Sequence, residues 1–184
     1  MPKIAEIEDT PNPNAKKFIL KEPLTYGLTR SFENAAEAAS DPLAAAIFAI
    51  PHVTNVFYVD KWLSVTQDGT APWPELLKQL AVPIRAAPAA AELDYAAPVS
   101  ESFANLGIAD NLRLMQINAL LDEQIRPSLK NDGGDILVVG LEGNQLKVHY
   151  QGACGSCPTS LSGTLAGIEN LVRTIEPDIE LVPV

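Results

Sequence analysis

The stretch from Leu80 to Ser100 decides what this chain can become. It reads Leu-Ala-Val-Pro-Ile-Arg-Ala-Ala-Pro-Ala-Ala-Ala-Glu-Leu-Asp-Tyr-Ala-Ala-Pro-Val-Ser. Pro83, Pro88 and Pro98 block a continuous helix. The segment has few large apolar residues to bury, so it has the character of an interdomain tether. The alternative is a tail packed along one domain. A chain of 184 residues holds one ordinary domain or two small ones. The expected organisation is therefore a first domain over residues 1–82, a linker over 83–104 and a second domain over 105–184.

Both domains read as α+β. Upstream, Ile4–Glu8 and Lys16–Leu20 look like strands about the bend Pro11-Asn12-Pro13-Asn14. Asn34 caps a short alanine-rich helix. Asp41 followed by Pro42 is a cap and first-turn pair, and the helix it opens stops near Pro51. Val53–Val59 and Trp62–Thr66 form a hairpin about Asp60-Lys61, and a last helix runs from about Pro74 to Leu80. Downstream, Leu114, Ile117, Leu121 and Ile125 recur at helical spacing, and Pro127 ends or distorts that helix. Asn131–Asp135 is a turn. Ile136–Leu141 and Gln145–Gln151 are strands about Glu142-Gly143-Asn144. Leu161, Leu165, Ile168, Leu171, Val172 and Ile175 mark one helix face, Pro177 stops that helix, and Ile179–Val182 closes as a strand. The second domain is thus α-β-β-α-β, and the whole is two small α/β-sandwich-type domains on an Ala/Pro-rich linker.

Composition removes several functions. A net charge of −10 repels phosphate backbones, which argues against nucleic acid. No apolar run approaches the roughly 20 residues that cross a bilayer, so no membrane partner is expected. The first nine residues, Met1–Asp9, are acidic, with neither a secretory h-region nor the Arg-rich character of a transit peptide. A cytoplasmic protein is the expectation.

Chemistry gathers at Cys154-Gly155-Ser156-Cys157, which holds the two cysteines of the chain. Two cysteines make no disulfide scaffold. A zinc site or a thiolate-held cluster usually takes four ligands, so this pair is half a site that a second copy would complete. The motif lies between a strand and a helix, with Pro158 suited to the first helical turn. Helix N–H groups and the positive dipole end then favour thiolate over thiol. Gly152 and Gly155 are expected to let backbone N–H groups approach sulfur. Ser156, Thr159 and Ser160 add hydroxyl donors. The same environment serves a redox dithiol, although thioredoxin-like sites lie in a βαβ context. Metal or cluster binding, thiol–disulfide exchange and an inert pair all stay open on these residues.

A longer pattern narrows the choice. Leu121-Asp122-Glu123-Gln124-Ile125-Arg126-Pro127, Asp132-Gly133-Gly134-Asp135 and Gln151-Gly152-Ala153-Cys154-Gly155-Ser156-Cys157-Pro158 together resemble the NifU-like C-terminal domain of Nfu-type iron–sulfur carrier proteins. Thr10-Pro11-Asn12-Pro13-Asn14-Ala15, Pro42-Leu43-Ala44 and Phe48-Ala49-Ile50 resemble the Nfu N-terminal domain. The resemblance implies a homodimer holding one [4Fe–4S] cluster between subunits, with Cys154 and Cys157 as ligands. It implies a non-enzymatic scaffold or carrier, loaded by upstream cluster donors and emptied into apo iron–sulfur clients. The rivals are a thiol–disulfide oxidoreductase and a zinc-bridged dimer.

Other residues read more plainly. His149 is an ordinary strand side chain and His52 a turn residue, though histidine ligates metals. The Asp132–Asp135 carboxylates are too few for a calcium loop. Trp62, Phe57 and Tyr58 are core residues of the first hairpin, with a docking face as the alternative.

Overall fold

The computed structural model describes residues 2–88, 90, 108–155 and 160–184. The chain divides into two compact units, residues 1–98 and 99–184. Most of the expected 83–104 linker lies outside the described residues.

The first unit is a five-stranded antiparallel sheet under two helices. Its strands are β1 (Ile4–Asp9), β2 (Ala15–Leu20), β3 (Arg30–Phe32), β4 (Val53–Val59) and β5 (Trp62–Gln67), in the order β1-β2-β5-β4-β3. The first hairpin turns as the sequence requires: Asn12 Oδ1 accepts the Asn14 N–H at 3.0 Å, and Thr10 Oγ1 donates to the Asn12 carbonyl at 2.9 Å. Asp60 takes a φ of +50° at the tip of the second hairpin. β3 was not expected. Its three residues carry no period, and it forms only by pairing with β4.

Helix α1 (Pro42–Phe48) starts as predicted, with Asp41 Oδ1 accepting the Ala44 N–H at 2.9 Å. Asn34 Oδ1 accepts the Glu37 N–H at 3.0 Å, but the helix it serves is a single 3-10 turn, Glu37–Ser40. Helix α2 (Trp73–Ala86) runs through Pro83 and past the expected boundary at residue 82. The reason is burial. Leu76, Leu80 and Ile84 repeat every fourth residue and all reach the core, so the apolar stripe continues beyond the proline. They meet Leu43, Ala44 and Ile47 of α1 over Phe18, Leu20, Val56, Tyr58, Leu63 and Val65 of the sheet.

The second unit follows the expected order, with one division. Helix α3 (Ile108–Gln124) ends at the Leu-Asp-Glu-Gln run, and a short α4 (Arg126–Asn131) restarts with Pro127 in its first turn. Proline lacks the N–H that would continue α3 but fits a first turn without loss. Then come β6 (Gly134–Glu142), β7 (Gln145–Gly152), α5 (Ser160–Val172) and β8 (Glu180–Pro183). β6 and β7 are an antiparallel hairpin, and β8 joins β7 in parallel through α5. Leu114, Ile117 and Leu121 of α3 pack with Ile168 and Val172 of α5 in the same core as Ile136, Val138, Leu146 and Val148 of the sheet.

Candidate functional site

Cys154 stands two residues past the end of β7, held there by a chain reversal that glycine makes possible. The first rung of the hairpin pairs Gly134 with Gly152. Gly133 and Gly152 take φ of +83° and +66°, a region glycine enters without a steric cost. Between them the Ala153 N–H donates to the Gly133 carbonyl at 3.1 Å, and the Gly155 N–H to the Gly152 carbonyl at 3.2 Å. The turn before β6 and the turn after β7 are thereby stitched together. The Cys154 side chain points into the unit's apolar core and is 8% exposed.

Two glycines fit tightly here, and not in the roles expected. A Cβ on Gly155 would lie 2.7 Å from the Tyr150 carbonyl oxygen, so its missing side chain makes room for backbone. The glycine beside the sulfur is Gly134. A Cβ there would lie 2.7 Å from Cys154 Sγ and 2.5 Å from the Gln151 carbonyl oxygen. The sequence reading placed Gly134 in a turn over Asn131–Asp135. That turn is shorter: Asn131 ends α4, and Gly134 and Asp135 already belong to β6.

Asp135 and Arg126 fix this corner to the helices. Arg126 donates from Nε to the Ile136 carbonyl at 3.2 Å, from Nη2 to Asn118 Oδ1 at 2.9 Å and from Nη1 to Asp122 Oδ1 at 2.5 Å. Its Nε is 3.6 Å from Asp135 Oδ1, and Lys130 Nζ is 4.0 Å from Oδ2. Asp135 Oδ1 accepts the Ile136 N–H at 2.8 Å. Burial raises the Asp135 pKa above the ordinary carboxylate value, against the pull of that N–H and the two cations. Arg126 and Asp135 stood inside the recognised motifs, but nothing in their spacing alone announced that they meet.

Tyr150 is the other residue the sequence left without a role. It alternates with Leu146 and Val148 onto the buried face of β7. Its Oη is buried, with no hydrogen-bond partner among the described residues. Burial first, and the nearby charge of Cys154 second, push its pKa up to about 12.

The remaining candidates fall elsewhere. Ser156, Cys157, Pro158 and Thr159 lie outside the described residues. His149 Nδ1 meets the Val184 carbonyl at 2.7 Å, from the strand face opposite Tyr150. His52 sits in the turn before β4 with a φ of +75°. Its Nδ1 is 3.0 Å from Asp68 Oδ2 and 2.9 Å from Thr70 Oγ1. Phe57 and Tyr58 are buried as expected, while Trp62 is half-buried, its ring 5.2 Å from that of Phe57. Among the described residues, no three His, Cys, Asp or Glu side chains form a metal-binding group.

Each of the two units matches a family model of its own. Residues 4–89 match "Scaffold protein Nfu/NifU N terminal", and residues 117–182 match "NifU-like domain". Two curated relatives carry the name "NFU1 iron-sulfur cluster scaffold homolog, mitochondrial". The one from Drosophila sechellia is 32% identical over 180 residues, covering 96% of this chain and 63% of the relative. The human one is 32% identical over 183 residues, covering 95% of this chain and 69% of the relative. The chain thus spans a little under two thirds of the Drosophila relative it matches. A solution structure of a NifU-like protein from Saccharomyces cerevisiae superposes with a TM-score of 0.41 at 23% identity, over 46% of this chain and 80% of that one. The chain belongs to the Nfu-type family of iron–sulfur cluster scaffold proteins.

These names also correct the compartment. The acidic start at Met1–Asp9 led to a cytoplasmic expectation, whereas the relatives are named mitochondrial. The first residues of a chain are weak evidence of address, because targeting segments are removed from mature proteins.

Proposed function

We propose that this chain is a scaffold and carrier for a [4Fe–4S] cluster, which it holds between two copies and passes to apo-proteins. Cys154 and Cys157 of each copy supply the thiolates, four in all from two chains. The observation that carries the reading is the seat of Cys154. Its sulfur lies against a glycine with no side chain, in a corner braced by Arg126 and Asp135 and lined by aliphatic side chains. A thiolate so held meets little competition from water, and Gly134 packs against the sulfur with no side chain of its own. Such a seat suits a cluster ligand.

The cluster is cargo in this scheme. Two thiolates per chain leave it at a subunit boundary, so loosening that boundary exposes iron to a client's thiolates. Transfer is then ligand exchange, and no catalytic base is required. The upstream partner is a cluster donor, and the clients are apo iron–sulfur proteins. The first unit, joined through the chain beyond α2, is the proposed contact for such partners.

The test is anaerobic reconstitution of the full chain with iron and sulfide, followed by iron, sulfide and native-mass measurement. Equal iron and sulfide, about four of each per two chains, is the expected result. Cys157→Ser is expected to lose that complement; a variant that kept it would remove Cys157 from the ligand set. One zinc per two chains would instead indicate a structural bridge. A cluster-free monomer that cycles its two thiols would indicate thiol–disulfide exchange.

A further inference from the structure

We propose that a cleft beside Arg30 in the first unit receives an extended acidic segment of a partner protein. A partner carboxylate sits on the Arg30 guanidinium, and an apolar side chain two residues along enters the cleft. This gives a chemistry to the partner contact assigned to the first unit above, and rests on that reading.

Arg30 is a cation that the fold leaves alone. The chain has 23 acidic side chains against 13 basic ones, and Arg113, Arg126 and Arg173 each pair with an acid of their own unit. Arg30 is exposed and makes no side-chain hydrogen bond or ion pair among the described residues. It opens β3 and stands across from Tyr58, on the sheet face that carries the helices. Asp41 lines the same cleft, but its Oδ1 accepts the Ala44 N–H and its Oδ2 the Tyr58 hydroxyl. Its charge is directed into the fold, and Arg30 keeps its donors for another acceptor.

The cleft supplies the apolar half of the recognition. Leu24, Leu28, Leu43, Tyr58 and Ala87 wall it, and Ser40 adds a hydroxyl on its open side. Leu28, Leu43, Tyr58 and Ala87 are each at most 8% exposed. These walls are held by packing before any ligand arrives, which removes the cost of ordering them on binding. The volume is about 250 Å³. Small-molecule pockets begin near roughly 300 Å³, so this one suits a single apolar side chain better than a whole cofactor.

Position in the sheet selects an extended chain. β3 is an edge strand, with no described strand beyond it. A sheet edge offers backbone groups to an incoming strand. In such a strand, side chains two residues apart share a face. A glutamate opposite Arg30 then makes a cross-strand ion pair, and a leucine two residues away enters the cleft. Arginine grips a carboxylate with two parallel N–H donors, which lysine cannot do. The charge sets the choice of partner, and burial of the leucine adds affinity.

The experiment titrates the full ¹⁵N-labelled chain with the capped peptide acetyl-Ala-Leu-Ala-Glu-Ala-Leu-Ala-amide and with its glutamine counterpart. Amide shifts are expected in β3 and around Leu43, and the glutamine peptide should bind about tenfold more weakly. Arg30→Gln should bind the glutamate peptide about tenfold more weakly and no longer tell the two peptides apart. Arg30→Lys should recover part of the difference. Because Arg30 is exposed and unpaired, Arg30→Gln should unfold in urea as wild type does and take the same iron and sulfide on reconstitution. The small acid 4-methylpentanoate, which has the carboxylate and the apolar body without a backbone, should bind less well than the glutamate peptide. Equal binding of the two peptides by wild type, shifts confined to another surface, or a small acid that binds as tightly as the glutamate peptide overturns the proposal and leaves the scaffold reading standing. A wild type that separates the peptides but takes no cluster keeps the cleft and overturns the scaffold reading.

Discussion

Gly134 lies against the sulfur of Cys154, so close that a methyl group on the glycine would fall 2.7 Å from Sγ. The same methyl would be 2.5 Å from the Gln151 carbonyl oxygen, which is backbone in the adjacent strand and cannot swing away. Gly134→Ala would ordinarily suit a strand. Here overpacking dominates, and a loss of about 1–3 kcal/mol is expected. Amide exchange over β6 and β7 measures it. The same variant should load less cluster under conditions in which wild type fills. Full loading with unchanged exchange would mean that the corner relaxes freely.

Arg126 ties α3 to the start of β6 through acceptors on Asn118, Asp122, Asp135 and the Ile136 backbone. Arg126→Ala removes the fork and leaves the Asp135 carboxylate buried beside Lys130 alone. The expected destabilisation of the second unit is about 2–4 kcal/mol. Arg126→Lys keeps the charge but cannot reach several acceptors at once, so it should recover part of the loss. Amide exchange over β6 and β7 separates the three chains. Equal stability of the lysine variant and wild type would show that charge alone holds the corner.

Much of this was legible before any coordinates, and the reasons differ by residue. Leu114, Ile117 and Leu121 are readable because helical period and burial coincide. Asp41-Pro42 is readable because cap chemistry is local. β3 is not, since three residues carry no period and depend on β4. The end of α2 was misplaced because Pro83 was given more weight than the continuing stripe of Leu76, Leu80 and Ile84. At the site, Cys154 stands out as a candidate because both cysteines fall in one motif. Gly134 was not evident as its neighbour, because the contact depends on the register that pairs Gly134 with Gly152. The buried phenol of Tyr150 had a visible signal, alternation along β7, whereas its missing partner is a three-dimensional fact.

The first unit offers a local test of the same logic. Asp41 caps α1 through Oδ1 and accepts the Tyr58 hydroxyl on Oδ2 at 2.5 Å. Asp41→Ala removes both and should cost about 1–2 kcal/mol. Asp41→Asn retains a capping oxygen and should cost less. Trp62 and Trp73 both lie in this unit, so tryptophan fluorescence during urea unfolding reports it. An alanine variant as stable as wild type would mean that packing alone starts the helix.

Asp135 makes the stability of the second unit depend on pH in a direction opposite to most native carboxylates. Burial raises its pKa above the ordinary aspartate value of 3.8. The folded state therefore holds this proton more tightly than the unfolded chain does. Below 3.8 both states are protonated, and the preference for the neutral form is fully expressed. As pH rises through the folded pKa, that contribution is lost. Asp135→Asn keeps an oxygen for the Ile136 N–H and removes the titration. The stability of the asparagine variant relative to wild type should then rise with pH through the window just above 3.8 and level off beyond the folded value. Amide exchange of β6 and β7, or urea unfolding across that range, reads the difference. A relative stability that falls with pH would mean that Arg126 and Lys130 outweigh burial and hold the carboxylate in its charged form.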